Sequence, residues 1–164
     1  MPPNRLARAL FSQIYDSPHQ PANFGRFVFL DERARDTYVD WQDSAQQTVA
    51  LLRTEAGRAP HDRALSDLVG ELSTRSEEFR TLWAAHDVRE HRTGVKRIQH
   101  PVAGFLELTY EGMNISSDPG LLFIAYTAAP GSPSHDGVKL LASWAATADN
   151  PELHGVAGSA ESQG

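Results

Sequence analysis

The sequence contains no cysteine, which excludes disulfide frameworks, thiolate nucleophiles and cysteine zinc sites. It also has no uninterrupted apolar run near the ~20 residues that a membrane-spanning helix requires. The opening residues 1–4 lack the basic and apolar regions of a secretory signal. These absences are typical of a soluble, cytoplasmic protein.

Concentrated positive charge is missing as well. The net charge is −6 at pH 7, and the arginines alternate with acidic residues along the chain. No basic stripe is therefore present that could neutralise DNA phosphates, and we expect no direct nucleic-acid binding by this chain. The 164 residues suffice for one domain with its own core.

Apolar residues at helical spacing, separated by proline, glycine and serine, dominate the first two-thirds of the chain. Helices are predicted over residues 4 to about 16, 24–28, 41–56, 65–72 and 76–83. Gly57 is predicted to end the longest of these helices, and Ser76 to cap the last one. A turn capped by Asp31 is predicted to lead to Tyr38.

From about residue 87 the spacing changes towards alternation, which predicts strands. Residues 121–126 are apolar on both faces, as in a central strand. Ser132 and Pro133 predict the start of a last helix with Trp144 on its buried side. The pattern predicts an α+β domain over residues 1–147, with a helical layer, an antiparallel sheet and a C-terminal helix, followed by a disordered tail over 148–164.

Several short motifs follow one another in the chain. They are NRLARALF at residues 4–11, NFGRFVFLD at 23–31, DW at 40–41 ahead of LLR at 51–53, LVGELS at 68–73, SEEFRTLW at 76–83, HDV at 86–88, Lys96, HP at 100–101, Gly104 and GSPS at 131–134. Together they resemble the ligand-binding domain of MmyB-like transcription regulators. In these regulators a helix-turn-helix of the XRE type precedes a PAS-like sensing domain. The resemblance covers about residues 4 to 145.

The resemblance implies a cytoplasmic, non-enzymatic sensor without a cofactor. It would hold a small, largely apolar ligand of the fatty-acid kind and couple its occupancy to the DNA affinity of an attached domain. That helix-turn-helix is not found in these residues, where Met1, Pro2 and Pro3 stand in its place. A homodimer is compatible with this interpretation, and the oligomeric state stays open.

Seven residues are candidates for the ligand site. Asn23 and Arg26 are three apart, so that on a helix they share a face and can hold a carboxylate. The alternative is that Arg26 is a structural tie to an acidic residue or to helix-end carbonyls. Apolar walls are predicted from side chains that could equally be ordinary core: Phe27, Phe29, Leu106, Leu108 and Tyr126.

Two other functions compete with the sensor. A small hydrolase or isomerase would use His86, beside Asp87, or His100 as an acid or base. No Gly-x-Ser-x-Gly motif supports it, and His86, His91 and His100 lack the helical spacing of a metal site. The third hypothesis is a dimerisation or protein-interaction module without a pocket.

Overall fold

The computed structural model describes residues 4–85 and 93–148, and within them the chain forms eight helices and a three-stranded antiparallel sheet. The helices are α1 Arg5–Leu10, α2 Ser12–Tyr15, α3 Phe24–Leu30, α4 Arg33–Thr37, α5 Trp41–Arg58, α6 Arg63–Arg75, α7 Glu77–Ala84 and α8 Pro133–Ala148. The strands are β1 Thr93–His100, β2 Gly104–Ile115 and β3 Asp118–Thr127. The predicted α+β class, with helices before the sheet and one after it, is confirmed. Of the predicted tail over residues 148–164, Ala148 is the last residue of α8, and residues 149–164 lie outside the described residues.

Short polar side chains begin the helices where the sequence predicts caps. The Ser76 hydroxyl accepts a hydrogen bond from the Phe79 amide at 3.1 Å. Ser132 accepts one from the His135 amide, also at 3.1 Å. These bonds satisfy amides that have no partner within the first helical turn.

Three details differ from the prediction. The first predicted helix is divided at Phe11 into α1 and α2. Gly57 lies inside α5, which ends one residue later, at Arg58. Trp144 is 41 % exposed, because α8 faces β2 and α1 with its other side.

The sheet has the order β1-β2-β3, so β2 is the central strand of the described sheet. The prediction that residues 121–126 form a central strand was wrong. They belong to the edge strand β3, where Phe123 is 46 % exposed and Ile124 39 %. A strand that is apolar on both faces is expected to be central only when both faces are covered.

The main core lies between the helices and one face of the sheet, called here the inner face. Its strand residues are Lys96, Ile98 and His100 of β1 and Leu106, Leu108 and Tyr110 of β2. Outside the strands, the buried residues of this core are Leu10, Ile14, Phe27, Val28, Ala34, Tyr38, Ala45 and Leu141. A second cluster of Val49, Leu68, Leu72 and Phe79 holds α5, α6 and α7 together.

A buried carboxylate ties the segments around α3 together. Asp31 accepts 2.7 Å hydrogen bonds from the Ser17 hydroxyl and from Arg33 Nη2. Chiefly because of the hydrogen bonds from the Arg33 side chain, its pKa is lowered to about 2. This depressed value means that Asp31 stabilises the fold above about pH 4, and that the contribution disappears as the pH falls towards 2.

We expect Asp31→Asn to lower the free energy of unfolding by about 1.5 kcal/mol at pH 7, since the charge-assisted bonds to Arg33 are lost. Urea denaturation at pH 7 and pH 3 measures the effect, which should be smaller at pH 3. The matched control is Asp36→Asn, at an exposed position on α4. Equal losses for both variants at pH 7 would contradict this role of Asp31.

Candidate ligand-binding site

The five apolar candidates belong to one cluster on the inner face. Phe27, Leu106 and Leu108 are fully buried there, and the partly buried Tyr126 and Phe29 pack against them. Phe29 also contacts the second cluster, where its ring meets that of Phe79 at 5.0 Å between centroids. The structure therefore brings these residues together, and their contact with a ligand stays a prediction.

The two polar candidates both have partners within the chain. Asn23 Oδ1 caps α3 by accepting from the amides of Gly25 at 2.8 Å and Arg26 at 3.3 Å. Arg26 Nε donates to Glu71 of α6 at 2.8 Å, and its Nη1 donates to the Pro21 carbonyl at 3.1 Å. The ligand role of this pair stays a prediction, and it would require Arg26 to share or leave Glu71.

The Arg26–Glu71 pair is expected to contribute about 1 kcal/mol to stability, since it is only partly exposed and joins α3 to α6. A double-mutant cycle of Arg26→Ala and Glu71→Ala, followed by urea denaturation, measures this coupling. If the two changes were strictly additive, the ion pair would not be a structural tie.

Tyr38 lies at the centre of the helical side of this layer. It follows α4 in an extended conformation and forms a β-bridge with Ile98 of β1. Its side chain is only 1 % exposed, with the ring 5.8 Å from that of Phe24 and 6.0 Å from that of Phe27. The hydroxyl has no hydrogen-bond partner among the described residues. Burial raises the pKa of Tyr38, and the nearby Tyr126 raises it further, so the phenol is neutral.

Lys96 is a second polar group in the same layer. It is 6 % exposed, and its Nζ lies 4.8 Å from the ring centroid of Phe24 and 5.0 Å from that of Tyr38. No carboxylate of the described residues lies within 4.0 Å of this ammonium, and none of them forms a hydrogen bond with it. Burial lowers the pKa of Lys96 to about 8. A buried lysine without a paired acid is rare, because desolvation of the charge costs several kcal/mol.

Two more tyrosines extend the polar part of the inner face. Tyr110 and Tyr126 are register partners on β2 and β3, with ring centroids 6.2 Å apart. Burial raises the pKa of both phenols, so they too are neutral near pH 7. Lys96, Tyr38, Tyr110 and Tyr126 are called here the lysine–tyrosine cluster.

Sequence reasoning noted Lys96 only as part of a motif and missed the cluster as a site. The sequence did contain one indication of this cluster. Lys96, Ile98 and His100 are spaced two residues apart on β1, so their side chains lie on the same face of the sheet.

A family model described as the MmyB-like transcription regulator ligand binding domain matches residues 3–141. The chain belongs to this family. The resemblance drawn from the motifs is thereby confirmed, and a regulatory, ligand-sensing role is favoured over a catalytic one. No curated protein shows significant sequence similarity to the chain. In the described part of this MmyB-like domain, no helix is long and apolar enough to cross a membrane.

The enzyme alternative depends on His100 in the described residues, since His86 lies outside them. His100 Nδ1 accepts from the amides of Val102 at 3.1 Å and Ala103 at 3.2 Å. Its Nε2 is 3.0 Å from the Ala9 carbonyl, to which it donates when Nδ1 is the acceptor. Both ring nitrogens are thus engaged, which leaves His100 no open position to act as a base. No three potential metal ligands cluster anywhere in residues 4–85 and 93–148.

A shallow cleft between α5 and α7 also contains a partly buried cation. It is lined by Arg53, Ala56, Trp83 and Ala84. The Arg53 guanidinium lies 5.0 Å from the Trp83 ring centroid and donates to the Trp83 carbonyl, although its Nε has no partner. This cleft opens to solvent on the helical side of the domain, whereas the lysine–tyrosine cluster lies against the sheet.

Proposed function

We propose that this MmyB-like domain senses a small, largely apolar ligand of the fatty-acid kind, and that occupancy modulates the DNA affinity of an attached helix-turn-helix domain of the XRE type. The observation that carries the proposal is the Tyr38 hydroxyl, which is buried without a partner among the described residues and packs against apolar side chains of the main core. An unsatisfied buried hydroxyl costs about 1–3 kcal/mol. A ligand with one polar end and an apolar body would remove this cost.

The ligand body would lie between the helices and the inner face of the sheet. Its neighbours there would be Phe27, Leu106, Leu108 and Tyr126, with Phe29 behind them. Phe11 and Phe24 are also only partly buried, and Phe11 meets the Tyr126 ring at 5.3 Å. Rotation of these rings at the edge of the layer would admit the ligand, with Asn23 and Arg26 nearby at the start of α3.

Signalling requires that the ligand bind one arrangement of the helices better than another, since equal affinity for both changes nothing. Tyr38 is suited to this coupling because its backbone pairs with β1 while its ring packs on α3. A ligand bound at Tyr38 would therefore act on the sheet and on a helix together.

Native mass spectrometry of the purified protein, with extraction of any bound lipid, tests the proposal. We expect a co-purified molecule, or a rise in Tm on addition of medium- and long-chain fatty acids. Leu108→Phe, which fills the buried layer, should reduce the rise, whereas Leu140→Phe at an exposed position of α8 should not. The absence of both a bound lipid and a Tm shift would count decisively against the sensor.

Exposed apolar side chains favour a second, compatible role in self-association. Phe105 on β2 and Phe123 on β3 are 49 % and 46 % exposed. Large exposed apolar groups are typical of contact surfaces. Sedimentation velocity of the protein and of Phe105→Ser tests for a homodimer, and a monomer at all concentrations would exclude this role.

A further inference from the structure

We propose that the cleft between α5 and α7 is a separate ligand site, and that it binds a small aromatic carboxylate through Arg53. The carboxylate would pair with the Arg53 guanidinium, and the ring would lie against Trp83 and the short side chains of Ala56 and Ala84. The cleft lies on the helical side of the domain, away from the layer between the helices and the sheet. This inference therefore does not depend on the proposed function.

The charge of Arg53 is the first argument. Among the described residues no carboxylate lies within 4.0 Å of its guanidinium. Its Nη2 donates to the Trp83 carbonyl, whereas its Nε is buried without an acceptor in the described part of the chain. A buried donor without a partner is unfavourable, and a carboxylate is the strongest acceptor that a guanidinium can receive in a protein site.

The same domain contains an arginine–tryptophan pair that does have an acid. The Arg35 guanidinium lies 3.9 Å from the Trp41 ring centroid, and it donates to Glu78 at 2.6 Å. Arg53 lies 5.0 Å from the Trp83 ring centroid, but no carboxylate of the described residues completes this second pair. The carboxylate of a ligand would occupy the position at Arg53 that Glu78 occupies at Arg35.

Trp83 is a fixed wall of the cleft. Its ring stacks on that of Phe79, with the centroids 5.5 Å apart and an angle of 18° between the planes. Phe79 is fully buried in the cluster that holds α5, α6 and α7 together. Because this stack restrains Trp83, and the bond to the Trp83 carbonyl restrains Arg53, ligand binding would require little further ordering of either side chain.

The size and the lining of the cleft favour a small, flat ligand. Its volume is about 320 Å³, near the lower end of the range of about 300–1,000 Å³ that is typical of ligand pockets. Ala56 and Ala84 form short apolar walls, and Arg53 is the one charged residue of the lining. A single ring with one carboxylate matches this lining, whereas a long alkyl chain would extend into solvent.

Benzoate and benzamide test the proposal, because they share a ring and differ in charge. In an NMR titration at pH 7, we expect the protein to bind benzoate at least about fivefold more tightly than benzamide. Arg53→Gln should lose about fivefold or more in benzoate affinity and keep its affinity for benzamide. The matched control is Arg35→Gln, which removes the other arginine stacked on a tryptophan and should leave benzoate binding unchanged.

A second variant keeps the cation and fills the cleft. Ala56→Leu would occupy the space of the ligand ring, so it should weaken the binding of benzoate and benzamide alike. Its control is Ala146→Leu, at an exposed position of α8. Ala56→Leu decides the question even if Arg53→Gln does not fold, because it leaves the bond between Arg53 and the Trp83 carbonyl in place.

The tryptophan signals locate the ligand within the domain. The sequence contains three tryptophans, so a ¹⁵N–¹H spectrum gives three indole N–H signals, and Trp83→Phe identifies that of Trp83. Benzoate should shift the Trp83 signal until the site is saturated. It should leave unchanged the signal of Trp144, which is 41 % exposed on α8.

The outcomes separate this inference from the proposed function. Equal affinity for benzoate and benzamide, unchanged benzoate affinity in Arg53→Gln, or no saturable shift of the Trp83 signal would overturn the cleft as a carboxylate site. Displacement of benzoate by dodecanoate would show that the cleft takes the lipid ligand, and would overturn a separate site. Saturable benzoate binding in a protein that binds no lipid would overturn the proposed function and leave this site.

Discussion

Replacement of Lys96 by Met is expected to raise the free energy of unfolding at pH 7 by about 2.5 kcal/mol. Burial moves the pKa of Lys96 from 10.5 to about 8, and at about 1.4 kcal/mol per unit this corresponds to a cost of about 3.5 kcal/mol for the charged form. Methionine keeps the length and apolar stem of the side chain without that charge. The substitution also removes the cation–π contacts with Phe24 and Tyr38, and this loss should reduce the gain in stability by about 1 kcal/mol.

The gain in the free energy of unfolding should decrease as the pH rises. Because the folded-state pKa of Lys96 is below the unfolded-state value, the cost is complete below about pH 8 and disappears as the pH rises to 10.5. The advantage of Lys96→Met should therefore be large at pH 7 and small near pH 10. Urea denaturation at both values measures it, with Lys139→Met as the control.

A loss of stability in Lys96→Met at pH 7 would show that the ammonium has a favourable partner in the folded protein.

Local patterns predicted much of the fold. Capping by Ser76 and Ser132 is decided by residues within one helical turn, and the sequence contains all of them. The position of β3 at the sheet edge could not be predicted in this way. Its apolar residues look the same whether a neighbouring strand covers them or they stay exposed, as Phe123 does.

The site shows the same division between local and distant information. The spacing of Asn23 and Arg26 places them at the start of one helix, but Glu71, the partner of Arg26, lies 45 residues away. Alternation places Lys96 on the inner face of β1. That Tyr38 covers it, and that no carboxylate of the described residues lies within 4.0 Å of its ammonium, depends on how α4 packs against the sheet.

Replacement of His100 by Ala is expected to lower the free energy of unfolding by about 3 kcal/mol. The buried ring joins the end of β1 to α1 through the Ala9 carbonyl, and it holds the following turn through two backbone amides. Alanine would leave a cavity and remove all three bonds. His100→Asn, whose Oδ1 can replace Nδ1 as acceptor for the turn, should lose only about half as much.

The pH dependence of this effect separates a structural histidine from a catalytic one. Burial lowers the pKa of His100, against the opposing influence of the Ala9 carbonyl, so the folded state favours the neutral ring. Wild-type stability should therefore fall as the pH drops below about 6.5, where the unfolded chain gains a proton more readily, and His100→Ala should lose this component. Urea denaturation at pH 8 and pH 5.5 measures both predictions.

Unchanged stability in His100→Ala, together with loss of a hydrolase or isomerase activity, would instead support the enzyme hypothesis. Since both ring nitrogens already have backbone partners, we expect the loss to be in stability.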